Sequence, residues 1–157
     1  MRSDYLNDNS SLSNQFMNVK KITENYTCLA SDSGSYILVN PTATTTVTLP
    51  TISEDLVGWY VKVILTEDAT GADEGMNQIV NIDMGSGTNL ANVGMIQEVD
   101  GAAGDYAVAN DDFIVNTAAG AAGNTFDIWC DGYRWYVQGV VDDLTAAAFS
   151  TGADTIA

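Results

Sequence analysis

Thr125-Phe126-Asp127-Ile128-Trp129-Cys130-Asp131-Gly132-Tyr133-Arg134-Trp135-Tyr136-Val137-Gln138-Gly139-Val140-Val141 is the stretch that decides the fold. Two runs of β-branched and aromatic residues flank Asp131-Gly132, a pair favoured in the two-residue type I′ turn of a β-hairpin. A two-residue loop pairs Cys130 with Tyr133, Trp129 with Arg134, Ile128 with Trp135, Asp127 with Tyr136 and Phe126 with Val137. One face then collects Phe126, Ile128, Cys130, Tyr133, Trp135 and Val137, and a continuous apolar surface of that kind must be core. The other face carries Asp127, Trp129, Asp131, Arg134, Tyr136 and Gln138. Trp129 opposite Arg134 suits a cation–π contact worth about 0.5–2 kcal/mol. Two aromatics and an arginine on a polar face have the composition of an interface. A second sheet or a loop covering that face is the alternative.

Upstream, the same strand signals recur while helix signals are nearly absent. Short strands are expected at Tyr26–Ala30, Ser35–Asn40 and Thr44–Leu49, the last two ended by Pro41 and Pro50. Ser31-Asp32-Ser33-Gly34 reads as a turn, and Ile52–Val57 as a connection holding one helical turn. Trp59–Thr66 is the strongest long strand, with Trp59, Val61, Val63 and Leu65 on one side. Gln78–Ile82, Gly94–Val99, Tyr106–Ala109 and Phe113–Thr117 follow between Gly-rich turns. Nine or so strands with turns between them predict an all-β chain. The expected form is a single β-sandwich or jelly-roll-like domain of short antiparallel strands.

Charge divides the chain. Its 157 residues carry 5 Lys+Arg against 21 Asp+Glu, a net −16. Residues 1–21 hold Arg2, Lys20 and Lys21 against Asp4 and Asp8, whereas residues 22–157 hold Lys62 and Arg134 against 19 acids. The reading is a near-neutral N-terminal arm (1–21), an acidic β-domain (22–141) and a C-terminal tail (142–157). Leu12, Phe16 and Val19 have helical spacing, which allows a short helix in the arm. A strongly acidic body is repelled by phosphate, so nucleic acid is not an expected partner. No apolar run is long enough for a membrane helix, and the first eight residues lack the apolar core of a signal peptide.

The chain contains no histidine, which removes imidazole acid–base chemistry, His-assisted nucleophiles and His-ligated zinc. Its two cysteines, Cys28 and Cys130, have no metal-site spacing and read as small buried hydrophobes. Adjacent acids occur at Glu54-Asp55, Glu67-Asp68, Asp73-Glu74, Asp111-Asp112 and Asp142-Asp143. Neighbours on a strand point to opposite faces, so these pairs are poor candidates for a two-carboxylate glycosidase. Glu67, Asp68, Asp73 and Glu74 share one Gly-containing loop and are weak calcium candidates, without an EF-hand signature. The Gly-rich segments lack nucleotide-binding patterns, and no cofactor is expected.

Ala30-Ser31-Asp32-Ser33-Gly34-Ser35-Tyr36-Ile37-Leu38, then Thr46-Val47-Thr48-Leu49-Pro50, then Gly58 before a long strand, then the closing hairpin through Gly139, form an ordered set. Together they resemble small virion structural proteins of tailed, especially marine, bacteriophages. The resemblance implies a capsid decoration (cement) protein on the outer surface of the icosahedral head, commonly a homotrimer, with the major capsid protein as partner. Under that reading Arg2, Lys20 and Lys21 dock the arm on an acidic shell, with Leu12, Phe16 and Val19 as apolar anchors. Contacts between copies should be apolar and poor in acids, with salt or divalent cations screening the remainder. Trp129, Arg134, Tyr136 and, in a possible C-terminal strap with Leu144 and Ile156, Phe149 are the further interface residues. A head- or tail-fibre module stacking sugars on Trp129, Tyr136 and Tyr60 is the competing reading, and a small carboxylate-dependent glycan hydrolase the third.

Overall fold

The computed structural model describes residues 18–66, 78–85, 93–99, 104–106, 113–116, 122–142, 144 and 147–150. These residues are mostly β-strand, with two 3₁₀ turns at Ala30–Asp32 and Glu54–Leu56. A seven-stranded sheet is ordered β1 (Asn18–Ile22), β3 (Ser35–Val39), β5 (Tyr60–Leu65), β10 (Thr125–Cys130), β11 (Trp135–Val141), β7 (Val93–Glu98) and β8 (Gly104–Tyr106). A five-stranded sheet is ordered β12 (Ala147–Ser150), β9 (Phe113–Asn116), β6 (Val80–Asp83), β4 (Thr45–Thr48) and β2 (Tyr26–Thr27).

The strands are mixed rather than antiparallel throughout. β1, β3 and β5 run parallel in one sheet, and β2, β4 and β6 run parallel in the other. The chain therefore alternates between the sheets for six strands, each strand of one sheet serving as the crossover that parallel neighbours in the other require. Gly34 and Gly58, at φ +83° and +81°, supply the left-handed turns before β3 and β5. β10 then pairs antiparallel with β5, and β11 with β10, while β11 and β7 are parallel.

Burial follows the pleat. Trp59, Val61, Val63 and Leu65 are all buried, as the alternation predicts, and so are Phe126, Ile128, Cys130, Trp135 and Val137. One hydrophobic core takes residues from both sheets, including Ile37, Val39, Val47, Ile82, Ile96 and Ile114. At Gly139 the fit leaves no room for a methyl group. A Cβ there would lie 2.8 Å from Phe126 Cδ1 and 3.0 Å from Ile96 Cγ1, and both side chains are fully buried. Gly139→Ala is expected to cost about 1–3 kcal/mol through overpacking. Urea unfolding is the check; an unchanged midpoint would show slack in this core.

Several sequence expectations are corrected. The hairpin loop has four residues, not two, because Cys130 pairs with Trp135 and Trp129 with Tyr136. Asp131 is the cause. Its Oδ1 accepts the N–H groups of Tyr133 (2.8 Å) and Arg134 (2.9 Å), an Asx-type turn that replaces the two-residue one. The shift is two residues, so the inward set is kept except Tyr133, which moves into the loop and is 55% exposed. Tyr26–Ala30 is a strand only as far as Thr27; of the expected Tyr106–Ala109 strand, Tyr106 belongs to β8 and the other residues lie outside the described ones.

Both terminal boundaries also move. Asn18–Lys21, assigned to the arm, belong to β1, whose inward Ile22 is buried and whose ladder matches β3 residue for residue. The possible helix through Leu12, Phe16 and Val19 fails at Val19, which is in β1; Arg2, Leu12 and Phe16 lie outside the described residues. Part of the expected tail is β12, antiparallel to β9, with Leu144 and Phe149 packed on the core. Phe149 fills the space left by Gly94, whose added Cβ would meet its ring at 2.7 Å. Phe149 is therefore an internal packing residue and not a free strap, and Ile156 lies outside the described residues.

Candidate functional site

The side of the seven-stranded sheet turned away from the core is a broad apolar face. Three rows cross it in register. The first joins Tyr60, Trp129, Tyr136 and Val93. The second joins Val19, Tyr36, Lys62, Asp127, Gln138 and Met95. The third joins Lys21, Leu38, Ile64, Thr125, Val140 and Gln97. Val19, Val93, Trp129 and Val140 are 47%, 43%, 37% and 45% exposed. Asp127 is the single acid in these rows, in a chain with 21 acids.

That acid is neutralised within the face. Asp127 Oδ1 accepts the Tyr60 hydroxyl at 2.6 Å, and Oδ2 accepts Lys62 Nζ at 2.8 Å. Desolvation, then the bond to Asp127, push the Tyr60 phenol up to about 12, so it remains a donor at neutral pH. Trp129 and Tyr136 stack on one another, with centroids 5.7 Å apart and planes 9° from parallel. The expected Trp129–Arg134 contact is replaced by this stack, because the longer loop moves Arg134 out of the ladder. Arg134 Nε lies 4.0 Å from Asp131 Oδ2, while Tyr136 donates its hydroxyl to that oxygen at 2.8 Å. The N–H of Tyr133 and the other donors around Asp131 hold its carboxyl below the usual range.

A second polar cluster ties down the sheet edge. Asp32 is 1% exposed. Its Oδ2 accepts the Tyr26 hydroxyl at 2.6 Å and the Leu29 N–H at 2.8 Å, and its Oδ1 contacts Lys20 Nζ. Lys20 also touches the Tyr26 hydroxyl and sits 4.9 Å from the centre of that ring. Burial pushes the Asp32 carboxyl up, but the Leu29 N–H, Lys20 and Tyr26 outweigh it and hold the group low. Asp32 and then Tyr26 hold the Lys20 ammonium above its usual range. Lys20, expected to dock on a partner, is thus committed inside the chain, because its position on β1 points inward with Ile22. Lys21 and Val19 point outward and remain available.

Cys28 and Cys130 are free and buried; desolvation pushes the Cys28 thiol up to about 12, which leaves it without thiolate character. Among the described residues no group of three or more His, Cys, Asp or Glu is placed to hold a metal ion. Glu67, Asp68, Asp73 and Glu74 lie outside those residues. No helix among them is long and apolar enough to cross a membrane. A cleft of about 430 Å³ at Lys20–Tyr26 is lined by the two groups already bound to Asp32 and by Ile22, Thr23, Glu24, Asn25 and Lys21.

Sequence reading found Trp129 and Tyr136 but missed Tyr36, Leu38, Ile64, Val93, Met95 and Val140 as members of the same face. The signal was present in the apolar residues at outward positions of β3, β5, β7 and β11. It needed the strand order to become one surface. Comparison of the chain with protein-family models, with curated proteins and with solved structures returned no match.

Proposed function

We propose that this chain is a capsid decoration (cement) protein of a tailed bacteriophage. It sits on the outer surface of the icosahedral head, bridges capsomers through the major capsid protein and associates with other copies of itself. The observation that carries this reading is the segregation of charge: a chain of net −16 has a broad sheet face with one internally neutralised acid. An anionic body keeps densely arrayed copies soluble by mutual repulsion, while an acid-poor apolar face is where contacts form. The sharing of one core by two sheets supports a sandwich-like layer arrangement for such a module. In this reading the chain performs no covalent step and needs no cofactor.

The outward side of the five-stranded sheet, with the partly exposed Thr46, Thr48 and Asp83, is polar by comparison. That contrast turns the seven-stranded sheet toward protein and the five-stranded sheet toward water. The stacking of Trp129 on Tyr136 weighs against a sugar platform, because each ring already has a face occupied.

The test is co-sedimentation with heads purified without the protein. The full chain is expected to bind saturably. Removing residues 1–17, which carry Arg2, Leu12 and Phe16, is expected to weaken binding by about tenfold or more, about 1.4 kcal/mol. Absence of binding by the full chain would reject decoration, and unchanged affinity of the truncated chain would reject attachment through the arm.

A further inference from the structure

We propose that a second copy of this chain packs on the outer face of the seven-stranded sheet. The inference rests on reading that face as an interaction surface, and not on attachment to a phage head. Three observations select a second copy as the occupant.

The first is size. Six strands about 4.8 Å apart and five residues at about 3.3 Å each give a flat footprint near 500 Å². Side-chain relief brings the accessible area toward the roughly 800 Å² that each partner of a standard interface contributes. Apolar patches of this size on an otherwise solvated protein mark contact sites.

The second is electrostatic. Two chains of net −16 repel wherever their acids face each other. The three rows carry Lys21 and Lys62 against Asp127, so two such faces meet without that penalty. The third is self-complementarity. Lys62 and Asp127 are cross-strand neighbours in the central row. A neighbour presenting the same face offers its Asp127 to Lys62 and its Lys62 to Asp127, with aromatic and aliphatic rows on either side.

Sedimentation equilibrium of the full chain tests the inference. The wild type is expected at twice 16.6 kDa or a higher multiple, and the Val93→Lys/Val140→Lys variant at the single-chain mass with an unchanged far-UV circular dichroism spectrum. Both side chains already point to water, so folding does not depend on them. Gln97→Lys/Gln138→Lys, at exposed positions of the same face, repeats the test without altering an apolar side chain. Association of the wild type should tighten between about 0.05 and 0.5 M NaCl, as screening removes repulsion between the acidic bodies.

A wild type that stays monomeric overturns the proposal, as does an oligomer that survives both double variants. A monomer that binds heads and loses that binding in the variants makes the shell protein the occupant, which also overturns it. An oligomer that fails to bind heads upholds this contact and removes the decoration reading instead.

Discussion

Trp135→Ala is expected to lower the free energy of unfolding by about 3–5 kcal/mol. Trp135 is fully buried and meets Trp59 edge to face, with centroids 5.3 Å apart and planes 71° from parallel. Trp59 in turn donates its indole N–H to the Leu29 carbonyl at 3.2 Å, so the pair joins the β10–β11 hairpin end to the first 3₁₀ turn. Truncation removes the transfer energy of an indole and leaves a cavity that two flanking strands cannot close. Small domains hold only about 5–15 kcal/mol in total, so the variant should lie near the edge of folding. Trp129→Ala is the control. Trp129 points outward and is 37% exposed, and its loss should cost about 1 kcal/mol or less. Urea midpoints measured side by side decide the matter, and equal shifts would mean that the faces have been assigned wrongly.

Asp32→Ala is the second large effect, about 2–3 kcal/mol at neutral pH. The carboxylate accepts from Tyr26, Leu29 and Lys20 in a buried position, and alanine strands all three donors. The same group sets a pH dependence. A carboxyl held below its unfolded value contributes stability above that value, about 3.9, and loses it as pH falls through the lower folded value. Lys20, held high, contributes below its unfolded value and loses that contribution only as pH rises through the raised one. The acid limb below about pH 4 should therefore be shallower in Asp32→Asn than in wild type. Parallel acid limbs for the two proteins would remove Asp32 from the account.

Much of the core was legible because burial obeys the pleat. Alternation at Trp59–Leu65 and at Phe126–Cys130 states which side is inside whatever the neighbouring strand is. It does not state direction. The parallel pairs β1–β3–β5 and β2–β4–β6 come from segments such as Asn40–Ala43, whose length and Pro41 do not suit a tight hairpin. Only the closing hairpin offered a two-residue hairpin signal, and even there the Asp131 carboxylate sets a longer loop.

The site was legible in fragments. Trp129 and Tyr136 stood out as aromatics on a polar face, but the other members of the face are ordinary half-exposed residues until strand order places them side by side. Lys20 was misjudged for a related reason. A Lys-Lys pair reads as solvated, and its partner Asp32 is brought near by the fold and not by sequence proximity. Phe149 looked like a free anchor because nothing in the sequence marks the notch at Gly94 that receives it.

The role proposed for this acidic chain is surface contact on the outside of a phage head, with its acid-poor sheet face turned toward protein. A cryo-EM reconstruction of heads saturated with the full chain tests it most directly. The account predicts ordered density on the outer shell, clustered copies, and seven-stranded sheets facing one another with the five-stranded sheets toward solvent. Bare shells, density only at the tail, or copies whose aromatic rows face solvent would contradict it.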